Sequence, residues 1–237
     1  MKSWRCNCNN LGQFALFLRA MFVKFKRRVN RWRFKRSIKR LRQQPFCMIS
    51  NNCLGRRLYQ ILGRDYNTPF VGLFMMPECF TELVIHFEEY MSRELRFVEV
   101  SKHKALNETR ESGDRYPIGI IGGAEIHFLH YESEQEALEK WNRRKARIDM
   151  DNLYFLMVAN GPYDEALLKQ YASEYGQHKV FFHREQGRHL SAGFYIPSDA
   201  QNMGNLYSQY QRFVGYFDFA DWILTGEPLD RLGSGHQ

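Results

Sequence analysis

Short apolar runs recur along this chain, each followed by a stretch with helical spacing, and that alternation leaves few folds open. Residues 46–50, 70–74, 153–158 and 180–183 are almost unbroken apolar runs of four to six residues. Strands buried on both faces have this pattern. Between them lie helical segments. Residues 56–62 are stopped by Gly63, and Pro77 suits a first helical turn ahead of Phe80, Leu83, Val84, Phe87 and Met91. Ser133 with Glu136 three residues on forms a capping box for a helix to about residue 147. A further helix is predicted over 164–175. Residues 95–100 alternate as a strand, and 118–121 and 124–130 flank Gly122-Gly123 as a hairpin. Residues 101–115 are charged and rich in turn formers, which predicts a surface loop. A short strand is expected at 192–196, and an aromatic-rich helical or mixed segment at 205–224. The pattern predicts an α/β layered domain, its sheet mostly parallel or mixed and flanked by helices.

Charge divides the chain. Residues 1–43 hold fourteen Lys or Arg and no acid, while the rest sets twenty cations against twenty-six acids. The net +8 therefore belongs to a tail, and a mildly acidic domain does not grip a polyanion over a broad face. No nucleic-acid partner is expected of the domain. Three segments follow: a basic tail over 1–44, an α/β domain over 45–226, and a frayed end over 227–237. Residues 11–25 are strongly apolar, yet Arg19 and Lys24 interrupt them. The run is too short to span a bilayer and lacks a cleavage site of small residues. Beyond it, Val29, Trp32, Phe34, Ile38 and Leu41 alternate with a ladder of cations. A basic amphipathic helix over 11–43 suits an anionic membrane surface, placing the protein peripherally on the inner face of the plasma membrane. Docking on the domain's own acidic face, or an RNA-binding arm, are the alternatives. Cys6, Cys8, Cys47, Cys53 and Cys79 show no framework spacing and fit free thiols in a reducing, cytoplasmic compartment.

Three constellations carry candidate chemistry. At Ser50, Asn51, Asn52, Cys53 and Gly55, a strand runs through a turn into a helix, where backbone N–H groups welcome a phosphate or a sugar. Cys53 at that helix start is expected to have a depressed pKa; the alternative is that the asparagines merely cap the helix and Cys53 packs as a small buried residue. Strand alternation puts Glu125 and His127 on one face, with His130 and Tyr131 near the strand's exit. A Glu–His pair suits acid/base work or, more weakly, metal ligation. Third, Trp141, Arg143, Arg144 and Arg147 lie on one helix, two of the arginines four residues apart, as for clamping a diphosphate. Asp151 and Asn152 follow at once. The acids of Asp149-Met150-Asp151 leave a divalent ion as an option; no cofactor and no metal ligand set is assigned.

The ordered set Ser50-Asn51-Asn52-Cys53, residues 66–74, Tyr116-Pro117-Ile118-Gly119, residues 125–131, Trp141-Asn142-Arg143-Arg144 and Asp151-Asn152-Leu153 resembles a bacterial exopolysaccharide-biosynthesis family over residues 45–224. Gly55 is followed here by Arg56, where that family shows a second glycine, and Met150 stands where it shows an aromatic. The resemblance implies a role in making capsule or exopolysaccharide. The leading expectation is a transferase that moves a glycosyl group from a nucleotide sugar to a lipid-linked or polymer acceptor. Glu125 or His127 would then act as base, and His127 or His130 would do so in a modification of the glycan. Acyl or phosphoryl modification of the glycan is the alternative enzyme class, and a glycan- or partner-binding module the non-catalytic one.

Overall fold

The structure, a computed structural model, describes residues 35–111, 113, 115–159, 164–173, 178–183, 192–196 and 217–227, with single positions from 21 to 33. Four strands among these form a parallel sheet in the order β1-β5-β6-β7: β1 (Cys47–Ser50), β5 (Leu153–Val158), β6 (Lys179–His183) and β7 (Gly193–Tyr195). Cys47 pairs with Leu153 and Ser50 with Leu156, so the ends of β1 and β5 lie level. A second sheet is an antiparallel meander of β2 (Arg96–Val98), β3 (Ile118–Ile121) and β4 (Ala124–His127). The fold is thus α/β with a mostly parallel sheet flanked by helices, as the alternation of runs predicts, and an antiparallel sheet beside it.

Period-two alternation sorts each parallel strand between two cores. Cys47, Ile49, Phe155, Met157 and Phe181 enter one apolar cluster. It is roofed by α2 (Pro77–Ile85), α5 (Glu134–Lys145) and α6 (Glu165–Ser173). Met48, Tyr154, Leu156, Val158, Val180 and Phe182 enter the other, with α1 (Leu54–Leu62) and α7 (Phe219–Thr225). Helix α2 touches both β5 and β4, so it joins the two sheets. Gly55 lets α1 lie close on β1: a Cβ there would sit 3.0 Å from both Met48 and Ser50.

The structure departs from the sequence reading at several elements. Residues 70–74 are not a strand; only Phe74 bridges, to His127. Gly72 has φ +74, which ends an extended run at once. The helix expected to reach Met91 is divided at His86 into α2 and α3 (Phe87–Ser92). The expected loop after β2 contains a helix, α4 (Lys104–Glu111). The basic stretch is helical at its described positions, and its last turn enters the domain: Leu41 is fully buried and Ile38 packs on the same cluster. Residues 11–20, 205–216 and 228–237 lie outside the described residues.

Candidate functional site

Strand β4 ends in a buried ionisable pair. Glu125 and His127 alternate onto one face, both at most 1% exposed, with His127 Nε2 at 2.7 Å from the Glu125 carboxylate. That carboxylate also accepts the Ser101 hydroxyl and the Lys102 N–H, the latter at 2.9 Å. Burial alone would raise Glu125; the Ser101, Lys102 and His127 contacts outweigh it and hold its pKa below the ordinary range. Burial depresses His127, against the pull of Glu125, so its imidazole is neutral. A carboxylate only accepts, so Nε2 carries the proton and Nδ1 keeps its lone pair. Nδ1 has no hydrogen-bond partner among the described residues. An oriented, neutral histidine with one free basic nitrogen is the arrangement of a general base.

A cleft of about 640 Å³ is lined by Tyr116, Arg110, Arg115, Asn107, Glu99 and Glu132 among others; Glu125 and His127 do not line it. Tyr116 belongs to both: it borders the cleft, and its ring centre lies 5.6 Å from that of His127. Arg110 donates to the carbonyls of Glu99 and Tyr116 at 2.8 and 3.0 Å, which fixes the cleft's wall.

The turn after β1 has another purpose. Asn51 is fully buried; its amide donates to the carbonyls of Met75 and Val158 and accepts the Val158 N–H at 2.9 Å. It ties β1, β5 and the 72–75 segment together, and no part of the amide is left to reach a ligand. Asn52 accepts the Leu54 N–H at 2.9 Å, with Ser50 Oγ bonded to the same oxygen, so its amide braces the turn ahead of α1, whose N-cap, Cys53, makes no side-chain cap bond. Cys53 is a correction: its pKa is raised, because burial outweighs the nearby Arg56 and the Gly72 backbone. A helix start alone does not make it a thiolate.

Elsewhere the expected residues are scattered. Arg144 donates to the Tyr131 hydroxyl at 2.7 Å, which donates to the Val71 carbonyl at 2.5 Å, and the guanidinium lies over Tyr66. Trp141 is a core residue between Phe70 and Phe128. Arg143, Arg147 and His130 are exposed. Asp151 and Asn152 precede β5, at the amino end of the parallel sheet, whereas Ser50 and Asn51 stand at its carboxyl end. Among the described residues no group of three or more His, Cys, Asp and Glu is placed to hold a metal ion. The segment 72–75 joins what does converge: it is bonded to Asn51 through Met75, to His127 through Phe74, and to His130 through Gly72.

Ser101, Lys102, His103, Cys79, Arg110 and Tyr116 were absent from the sequence-based site. The run Lys104-Ala105-Leu106-Asn107-Glu108 is made mostly of good helix formers, and it was the available signal that this region is built rather than loose.

A family model described as a domain of unknown function, DUF1919, matches residues 24–224. The chain belongs to the DUF1919 family. The DUF1919 match takes in the buried pair, the cleft and the basic helix from residue 24 onward. An uncharacterized protein of Haemophilus influenzae is 31% identical over 212 residues, covering 85% of this chain and 97% of that one. The DUF1919 assignment brings no activity with it.

Proposed function

We propose that this protein is a capsule or exopolysaccharide biosynthesis transferase, moving a glycosyl group from a nucleotide sugar to a lipid-linked or polymer acceptor at the inner membrane face. One observation carries the chemistry: the buried Glu125–His127 pair with its unpartnered Nδ1, whose neighbour Tyr116 borders a cleft with Arg110 and Arg115. In the reaction His127 Nδ1 takes the proton of an acceptor hydroxyl as its oxygen bonds to the anomeric carbon. The bond to the diphosphate breaks, and the nucleoside diphosphate leaves with the electron pair. Glu125 stabilises the imidazolium so formed. Nδ1 is buried, so groups packed around the imidazole, the Tyr116 and Phe74 rings among its neighbours, must give way for the hydroxyl to reach it. The resemblance of the ordered motifs to an exopolysaccharide-biosynthesis family supports the polymer as the product class.

The basic helix supports the membrane site. Among its described positions Met21, Phe22, Phe25 and Trp32 are each more than half exposed, and Arg36 lies over Trp32. These apolar side chains lie open, whereas Ile38 and Leu41 further along pack on the domain. The helix thus has one part for the domain and another for a partner. Open apolar side chains among cations fit an anionic bilayer, each cation contributing about 1 kcal/mol. No described helix is long and apolar enough to cross a membrane.

The test is incubation of the full chain with anionic vesicles, a membrane glycan fraction and a panel of nucleotide sugars. At least one donor should raise the melting temperature and release nucleoside diphosphate, and His127→Gln should slow that release by about 100-fold or more. If no donor stabilises the protein or is consumed, the glycosyl-transfer reading fails.

A further inference from the structure

A second set of reactive side chains lies outside the Glu125–His127 pair. Cys79 occupies the first turn of α2, whose N1 position is Pro77 and whose flanking residue, Met76, provides no side-chain cap. Helix geometry leaves the N–H groups of Glu78 and Cys79 without intrahelical acceptors. The Cys79 sulfur stands 3.4 Å from His103 Nε2, and His103 Nδ1 faces the Glu78 carboxylate at 3.5 Å. His103 is thus bracketed between a thiol and an acid, the order in which nucleophile, base and orienting group act together. Two elements far apart in sequence are needed to build this. The 101–103 turn is held in place by Glu125, through Ser101 and the Lys102 N–H, and by Asn107, which exchanges bonds with the Ser101 backbone at 2.8 Å. The sulfur is buried, but the His103 side chain is 17% and that of Glu78 43% exposed, so the row runs from the interior out to solvent. Burial pushes the thiol pKa up, against the Glu125 N–H and the Lys102 ammonium. At rest the thiol is therefore protonated and donates to Nε2.

We propose that Cys79, His103 and Glu78 form an acyl-transfer site whose substrate is an activated acyl ester. As the sulfur attacks the carbonyl carbon, its proton passes to His103 Nε2. The ester C–O bond breaks, and His103 returns that proton to the departing oxygen, leaving the acyl group on Cys79 as a thioester. An acceptor hydroxyl then attacks the thioester; His103 takes its proton and restores it to the sulfur. The free N–H groups of Glu78 and Cys79 are the donors for the carbonyl oxygen as it gains charge. Glu78 positions His103 and stabilises its charged form. This site is separate from glycosyl transfer, and either can fail without the other.

The full chain is mixed with p-nitrophenyl acetate at neutral pH, and the products are followed by nitrophenolate release and peptide mass. We expect a burst of one equivalent and a single acetyl group on the peptide containing Cys79, with none on those containing Cys47 or Cys53. His103→Gln should slow the burst by about 100-fold or more while melting at the wild-type temperature within a few degrees. In Glu78→Gln the burst should slow, and Glu78→Asp should restore it, since a carboxylate at this position orients the His103 imidazole. No acetylation, acetylation of another cysteine in its place, or an unchanged rate in a folded His103→Gln would each overturn the proposal. Site mapping on the unmodified chain decides the matter even where a variant does not fold.

Discussion

Glu125 is the residue on which most of the site depends, because three donors converge on its carboxylate inside the protein. Glu125→Ala would leave the Ser101 hydroxyl, the Lys102 N–H and His127 Nε2 unpaired. The expected cost is roughly 3 kcal/mol, read as a lower midpoint in urea unfolding, with Glu125→Gln milder. The same pair sets the response to acid. His127's pKa is lowered on folding, so below its ordinary value near 6.5 the unfolded chain binds more protons and stability declines. Glu125 acts in the same direction further down. Its stabilisation is complete above its ordinary value near 4.5 and is lost as pH falls through the lower folded value. The melting temperature should therefore drop between about pH 7 and about pH 5, and His127→Gln should flatten that slope. A slope unchanged by the substitution would assign the acid response to other groups.

At the level of elements, the β3–β4 hairpin sets where this pair points, and glycines make it possible. Gly122 turns the hairpin at φ +58, and a Cβ there would collide with the Tyr90 ring. Gly119 passes so close to Leu95 and Phe128 that a Cβ would lie 2.7 and 2.8 Å from them. Gly119→Ala should destabilise by about 2 kcal/mol through overpacking, and Gly122→Ala by more because a strained φ is added to the clash. Thermal melts of the two variants check the order. Much of this was legible in the sequence. Unbroken apolar runs marked β1, β5 and β6, the double glycine marked the hairpin, and alternation put Glu125 and His127 together. The loop-like charge of residues 101–115 hid α4, since Lys, Glu and Arg are good helix formers as well as surface residues. Cys79 and His103, twenty-four positions apart, meet only through the way α2 packs against β4. Local periodicity carries no information about such a contact. The asparagine pair was misleading for a related reason: Asn51 has the composition of a ligand, but the level ends of β1 and β5 use its amide as a brace.

At the scale of the whole molecule, the basic stretch is partly built into the domain that follows it. Leu41 lies in the core, so the place of truncation matters. Removing residues 1–34 should leave a folded domain that no longer sediments with phosphatidylglycerol vesicles, whereas removing 1–43 should also cost about 3 kcal/mol from the lost Leu41 packing. Wild-type sedimentation should weaken as salt is raised. A folded 35–237 fragment that still pellets with vesicles would place the membrane contact elsewhere.

The most direct measurement is the nitrogen chemical shifts of His127 by NMR, followed through a pH titration. The expected result is a neutral ring at pH near 7 with the proton on Nε2, an unprotonated Nδ1, and protonation only below the ordinary histidine range. A ring that is charged at neutral pH, or that carries its proton on Nδ1, would contradict it, because no lone pair would then be free to accept a substrate's proton.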